Sequence, residues 1–385
     1  MTARRLRLGM VGGGHGAFIG GVHRMAARLD DQYDLVAGAL SADAERARQS
    51  AADLHIAADR TYTDFHDMAQ RESARPDGID VVAIVTPNHL HHPIARAFLD
   101  AGIHVICDKP MTRTAEEAED LVAAVTASGR VFVLTHNYTG YPMVRQARDM
   151  VLSGGLGVIR LVQVEYAQQW LTTAVELTGR KGAEWRTDPA RSGAGGSLGD
   201  IGTHAFNLAE FISALRCSEV AAELSSFGRG RRLDDNAQVL LRFVGGARGA
   251  LWSSQVAPGN ENALRIRIYG EQGGLEWEQE TPNQLLHTPF GEPIRVITRG
   301  GAAVLPVAAR ASRVPAGHPE GFLEAFAQLY RDTAKLIHAG RDGREPDPDA
   351  ALLPGVHDGL RGVRFVLAAV ESAGHNAAWV ALPPV

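Results

Sequence analysis

The chain has 385 residues, 45% hydrophobic and 22% charged, and its 39 basic and 44 acidic side chains give a formal net charge of −5. That length accommodates two domains and a sizeable core, and a mildly acidic chain without a basic run argues against nucleic acid as a main partner. Two scattered cysteines, Cys107 and Cys217, suggest neither a disulfide scaffold nor a zinc site, and no apolar run reaches the ~18 residues of a membrane span.

The basic N-terminus runs into apolar residues broken by glycines and His15, without a small-residue cleavage site. Residues 6–11 (LRLGMV) therefore read as a first strand rather than a signal peptide, in a chain expected to be cytoplasmic and to contact no membrane. A helix is expected over about 20–29, a strand over 33–40 (YDLVAGAL), a helix over 44–52 and a nearly continuous apolar strand over 79–85 (IDVVAIV). Such unbroken apolar strands belong to sheets covered on both faces. A helix over 90–101 closes at Gly102, and a strand follows over 103–107. Thr114-Ala-Glu-Glu117 opens the next helix with capping-box spacing, Gly129 ends it, and a strand spans 131–135. This alternation indicates a parallel sheet with helices on both faces.

Beyond about residue 138 the pattern changes. After a helix over 141–152, strands are expected over 159–166, 237–244, 248–256, 264–269 and 275–280, with few helices between them. Gly245-Gly246 and Glu271-Gln-Gly-Gly274 stand where hairpin turns would join neighbours, so this part reads as an antiparallel sheet. Residues 299–319 read as a long loop, 344–349 (REPDPD) as a surface linker, and 320–339 and 356–373 as closing helices. The expected division is 1–138 and 139–385, with the C-terminal helices free to pack back on the first domain.

The run GGGHGA at 12–17 contains G-x-G-x-x-A between an apolar strand and a helix. Gly12 permits a tight turn, Gly14 a close approach of backbone to pyrophosphate, and Ala17 close packing of helix on strand. Amide N–H groups at the helix start would hold the anion. At the end of the second strand Ser41 takes the usual acidic position, and Arg46 and Arg48 follow, which favours the 2′-phosphate of NADP. Asp43, two residues on, would instead bind the ribose or cap the next helix.

Lys109, in VICDKP at 105–110, ends a strand and so points to where ligands bind in open α/β sheets. His89, His91 and His92, in TPNHLHHP at 86–93, lack the clustered carboxylate or cysteine of a metal site, and no metal is expected. GGSLGDIGTH at 195–204 contains the G-x-S-x-G of a hydrolase nucleophile elbow. A loop rather than a strand precedes Ser197, and no later acid–histidine pair is marked. Ser197 is therefore expected to cap or begin a helix, and the glycines to let backbone pass close to ligand. Asp200 and His204, four apart, would share a helix face, and an imidazole suits proton transfer near neutral pH.

Taken in order, the first-turn glycines, Thr86-Pro-Asn88 with His89, Asp108-Lys109-Pro110 and the G-G-x-x-x-D-x-G-x-H of Gly195, Gly196, Asp200, Gly202 and His204 resemble the Gfo/Idh/MocA family. That family includes glucose–fructose oxidoreductase and inositol 2-dehydrogenase, and usually has Glu-Lys-Pro where this chain has Asp108. The resemblance covers nearly the whole length. It implies an α/β Rossmann domain followed by an α+β domain with a large open, mainly antiparallel sheet through which members form homodimers or homotetramers. It implies NAD(P) held by Gly12, Gly14, His15, Gly16, Ala17, Ser41, Thr86, Pro87, Asn88, His89, Asp108 and Lys109, and a catalytic set of Lys109, Asp200 and His204. The substrate implied is a secondary alcohol of a sugar, cyclitol or related polyol. Tyr138, at the end of the last Rossmann strand, and Arg186, before the glycine-rich stretch, join Asp200 and His204 as candidate substrate contacts. Tyr166 and Gln168–Trp170 offer aromatic faces and donors that would suit a polyol, with packing the preferred reading, and Asp235, Asn236 and His318 read as structural. A redox-assisted glycosidase and a non-catalytic dinucleotide-binding regulator are the alternatives. Retention of Lys109, Asp200 and His204 together argues against the regulator.

Overall fold

Five short, apolar strands build the first sheet of the computed structural model, which describes residues 4–179 and 181–384. They are β1 (Leu6–Gly12), β2 (Tyr33–Ala39), β3 (Val81–Val85), β4 (His104–Cys107) and β5 (Phe132–Leu134). All pair in parallel, in the order β2-β1-β3-β4-β5. β3 is buried along its whole length, as the unbroken VVAIV requires when helices cover both faces. Helices alternate with the strands, including Phe65–Ala74, which the sequence pattern did not mark. Only Met68, Ala69 and Glu72 of that helix are buried, so its apolar stripe is too narrow to read. At the start of helix Ala115–Ser128, Thr114 accepts from the Glu117 N–H as expected, and Gly129 closes it in the left-handed region.

The chain divides into two compact units, Met1–Asn137 with Leu323–Leu360, and Tyr138–Phe322 with Arg361–Val385. The segment Leu323–Leu360, which follows the second sheet in sequence, is thus part of the first unit. Its Tyr330 meets Tyr33 and His23 edge-on, and its phenol lies 2.8 Å from His23 Nδ1. The Tyr33 hydroxyl donates to the Tyr330 carbonyl at 2.6 Å. The Leu134 N–H on β5 donates to the Pro354 carbonyl at 2.9 Å.

Among the buried histidines of this unit are His23, His104 and His136. Burial pushes His23 and His104 down to about 4, and burial with the nearby Lys109 charge pushes His136 down to about 3. These values lie below the ~6.5 of an unfolded histidine, so unfolding takes up protons once the pH drops under that value. Stability is therefore expected to fall as pH is lowered from about 6.5 to 4. The Asp80 carboxyl, held at about 2 by Arg4, Arg341 and the Arg7 amide against the cost of its burial, adds its own loss only below the ordinary carboxylate range. Urea-unfolding midpoints at pH 7.5 and pH 5 check this, and an unchanged midpoint would contradict it.

The second unit is built on β6 (Ile159–Ala167), β7 (Cys217–Ser225), β8 (Asn236–Phe243), β9 (Arg248–Ser254), β10 (Ala263–Gly270), β11 (Gly273–Glu278), β12 (Gln284–Pro289), β13 (Arg295–Thr298) and β14 (Val380–Ala381). Their order is β13-β12-β11-β10-β6-β9-β8-β7-β14, and every pairing is antiparallel except β6 with β9. On β10 the alternation of ALRIRIYG buries Leu264, Ile266 and Ile268 on one face. Register places Leu161, Leu240, Tyr269 and Val296 on the opposite face, where all four are exposed. The stretch 299–319, expected as loop, contains the helix Pro306–Ala311, which buries Val307, Ala308 and Ala311. Among the described residues no helix is long and apolar enough to cross a membrane.

Candidate active site

In the first unit the chain leaves β1 at Gly12 and turns into helix Phe18–Leu29, with Gly12, Gly13 and Gly16 at φ of +81°, +69° and +81°. A Cβ on Gly20 would lie 2.4 Å from the Gly13 Cα, so this glycine pair supplies the close packing of helix on turn. Ala17, expected in that role, instead stands at the N-cap with extended backbone. A Cβ on Gly14 would strike the Leu40 carbonyl at 2.7 Å, so this glycine first makes room for the chain leaving β2. Gly16 has nothing within 4 Å of the equivalent position.

A pocket of about 360 Å³ lies against the turn, lined by Gly13, Gly14, His15, Gly16, Ala17 and Phe18 with Arg24, Ser50, Asp53 and Leu54. Among the described residues no side chain caps the helix, and its first turn carries no acidic residue, so its leading amides are available to an anion. The Thr86 hydroxyl, at the end of β3, is buried without a hydrogen-bond partner among the described residues. An open turn, uncapped helix amides and this hydroxyl fit a dinucleotide. Past β2, the Ser41 hydroxyl accepts from the Asp43 N–H, and Asp43 caps helix Ala44–Asp53 by accepting from the Arg46 N–H at 2.8 Å. Arg48, read in sequence as facing a 2′-phosphate, is paired with Glu45.

Lys109 follows β4, and the Lys109–Pro110 peptide is cis. Asp108 folds back on its own loop: its Oδ1 accepts from the Lys109 N–H at 2.9 Å and from the Thr135 hydroxyl at 3.0 Å. The shorter acid therefore braces the backbone at Lys109. Buried His91 joins the two loops, with Nδ1 2.7 Å from the Pro110 carbonyl and Nε2 2.9 Å from the Thr86 carbonyl. His92 turns instead to Asp120 at 2.8 Å, so these neighbours do not converge. Pro87 leads into the single turn Asn88–Leu90, which carries His89 and buries Asn88.

In the second unit Leu198–Gly202 is a π-helical turn that passes into the α-helix Thr203–Ser213. Asp200 and His204 were expected on one continuous α-helix. A π-turn, a feature frequent at functional sites, carries Asp200 instead. Asp200 Oδ2 accepts from Gln255 Nε2 at 2.8 Å and lies 3.6 Å from Arg186 Nε. His204, buried, meets the Tyr138 ring edge-on at 4.9 Å and the Tyr166 ring at 6.3 Å. The two phenols bond each other, Tyr166 donates to Asn262 Oδ1 at 2.7 Å, and Gln168 Nε2 donates to the same oxygen at 2.7 Å. Trp170 Nε1 donates to Gln168 at 3.0 Å. Burial raises both phenols further above their ordinary range, so they stay neutral. Tyr166, Gln168 and Trp170, read as packing, thus form a polar chain beside His204.

The structure gathers Asp200, His204, Tyr138 and Arg186 within the second unit, and adds Gln255 and Asn262. Neither stands in a motif; each is brought in by strand pairing. Ser197 begins the helical segment, one of the two places expected for it, and does not cap it: its backbone is already helical and its hydroxyl lies 3.3 Å from that of Ser253.

Residues 6–136 match the family model described as oxidoreductase family, NAD-binding Rossmann fold, and residues 144–276 match the GFO/IDH/MocA C-terminal domain. The chain is 54% identical to an oxidoreductase from Sinorhizobium meliloti of known crystal structure, with a TM-score of 0.89 over 98% of this chain and 100% of that one. It is 39% identical to an inositol dehydrogenase homolog from Azotobacter vinelandii, over 98% of both chains. Crystals of that protein with NAD+ and with NADH and myo-inositol give TM-scores of 0.94 and 0.91. It is 28% identical to the levoglucosan dehydrogenase of Pseudarthrobacter phenanthrenivorans, over 99% of both chains. The chain belongs to the Gfo/Idh/MocA family and is an oxidoreductase.

Proposed function

We propose that this member of the Gfo/Idh/MocA family oxidises a secondary alcohol of a sugar, cyclitol or related polyol, with Lys109, Asp200 and His204 acting on one substrate. The observation that carries the reading is the polar set around His204: a carboxylate, a guanidinium and linked phenols suit a ligand with several hydroxyls. The myo-inositol held by the Azotobacter relative supports it. His204 takes the hydroxyl proton. Lys109 donates a hydrogen bond to the same oxygen and offsets its developing negative charge. Asp200, braced by Gln255, accepts from a neighbouring hydroxyl. The nicotinamide, when bound, supplies the hydride acceptor. A screen of inositols and sugars with NAD+ and NADP+, followed by absorbance of the reduced cofactor, tests this; no turnover on any polyol would sink it.

NAD is the cofactor this reading favours. Arg48 is engaged by Glu45, the Asp43 carboxylate follows two residues after Ser41 past the end of β2, and the relative at 39% identity was crystallised with NAD+ and NADH. Repulsion between Asp43 and a 2′-phosphate is expected to make kcat/KM about tenfold higher with NAD+. The opposite ratio would restore Ser41 and Arg46 as a 2′-phosphate site. The exposed sheet face bearing Leu161, Leu240, Tyr269 and Val296 is the surface on which copies pair. Light scattering should then report a dimer or tetramer, and a monomer at assay concentration would contradict it.

A further inference from the structure

We propose that Asp234 is a positioning residue that fixes the backbone carrying Asp200 and His204; this rests on the reading of those two residues as substrate-handling groups. Asp234 lies between β7 and β8, remote in sequence from the π-turn. Yet three consecutive amides at the start of that turn all donate to it. The Gly196 N–H donates to Oδ1 at 2.6 Å, the Leu198 N–H to Oδ2 at 2.8 Å, and the Ser197 N–H to the Asp234 carbonyl at 2.8 Å. The leading amides of a helix have no partner within it, and no side chain of the turn's own segment caps them. One distant residue does so. It also accounts for a glycine: a Cβ on Gly196 would lie 2.0 Å from the Asp234 carbonyl oxygen. At this position the glycine makes room for Asp234 rather than for a ligand.

The next residue braces Asp200 from another side. The fully buried Asp235 carboxylate accepts from the Phe227 and Gly228 amides and from Arg231, which holds its loop rigid. Its carbonyl accepts the Gln255 N–H at 2.8 Å, and the Gln255 side chain holds Asp200. Asp234 thus sets the backbone beneath Asp200 and His204, while Asp235 sets the residue that orients the Asp200 carboxylate.

Asp234→Asn tests the clamp with almost no change of shape. One carboxylate oxygen becomes an NH₂, which cannot accept, so one buried amide loses its partner. In the full-length protein we expect cofactor affinity, read by NADH fluorescence, to stay near that of the wild type. Turnover should fall roughly 10–100-fold, as misplacement by about an ångström does, and substrate KM should rise with it. A partly unfolded sample would lower kcat and leave KM unchanged, so the KM rise separates positioning from lost fold. Hydrogen–deuterium exchange supplies a readout independent of turnover: amides 196–198 should exchange faster in Asp234→Asn, with helix Thr203–Ser213 unaffected. Wild-type kcat and KM in the variant, or unchanged exchange at 196–198, would overturn the proposal. Faster exchange in a protein inactive on every polyol would overturn the substrate reading and leave the clamp supported.

Discussion

Lys109→Met is expected to lower kcat by about 10²–10³-fold while leaving NAD+ affinity within a few-fold. Methionine keeps the length and apolar stem of lysine but removes the charge and all three donors. The loss should therefore fall on the step in which the substrate oxygen gains negative charge, not on cofactor binding. Other groups brace the loop around Lys109: Asp108 bonds the Lys109 N–H and Thr135, and His91 bonds the Pro110 carbonyl. The backbone should survive the change, so a drop in kcat reports chemistry. His204→Ala removes the proposed proton acceptor and is expected to cost a comparable roughly 10²–10⁴-fold. Steady-state kinetics on both variants check these values, and full turnover in either would remove that residue from the mechanism.

Arg361→Ala is expected to cost about 3–5 kcal/mol of stability. Arg361 is 5% exposed and Glu210 7% exposed. The guanidinium donates to Glu210 Oε1, to the Cys217 carbonyl at 2.8 Å and to the Pro383 carbonyl at 3.0 Å, and lies over the Phe206 ring. Glu210 sits on helix Thr203–Ser213, which begins with the turn carrying His204. Without Arg361 the buried carboxylate keeps, among the described residues, the Cys217 N–H and the more exposed Arg216. Urea unfolding of the variant measures the loss. The Arg361→Met, Glu210→Met double variant should recover most of it, because an apolar pair leaves no buried charge unpaired. A loss under about 1 kcal/mol in the single variant would place Arg361 among the weak surface pairs.

Much of this architecture is legible in the sequence because its signals are local. Unbroken apolar strands such as VVAIV, each followed by a helix, read directly as a covered parallel sheet. ALRIRIYG reads as a strand with one buried face. What was not legible depends on contacts distant in sequence. β7, written CSEVAAELS, carries alanines and two glutamates and lacks a strong strand signature. The parallel pairing of β6 with β9 inside an antiparallel sheet has no local signature at all.

The same distinction runs through the site. Lys109, Asp200 and His204, the residues proposed to act on substrate, stand in motifs that the sequence displays. Gln255, Asn262 and Asp234 stand in none, because each acts through a partner that only the folded sheet brings near. Ser197 has the sequence position of a cap, yet Asp234 performs that task from another loop. Gly14 and Ala17 fit the spacing of the dinucleotide turn, yet the tight approach of helix to turn is made by Gly13 and Gly20. The four-residue spacing of Asp200 and His204 suggested an α-helical face, and spacing alone does not register the π-turn between them.

The most direct test of the account is the appearance of NADH when the wild-type protein and Lys109→Met are each given NAD+ with a panel of inositols and sugars. The account predicts NADH formed in step with substrate by the wild type on at least one polyol, and nearly abolished in Lys109→Met. No NADH from the wild type on any polyol, or equal rates from the two proteins, would contradict it.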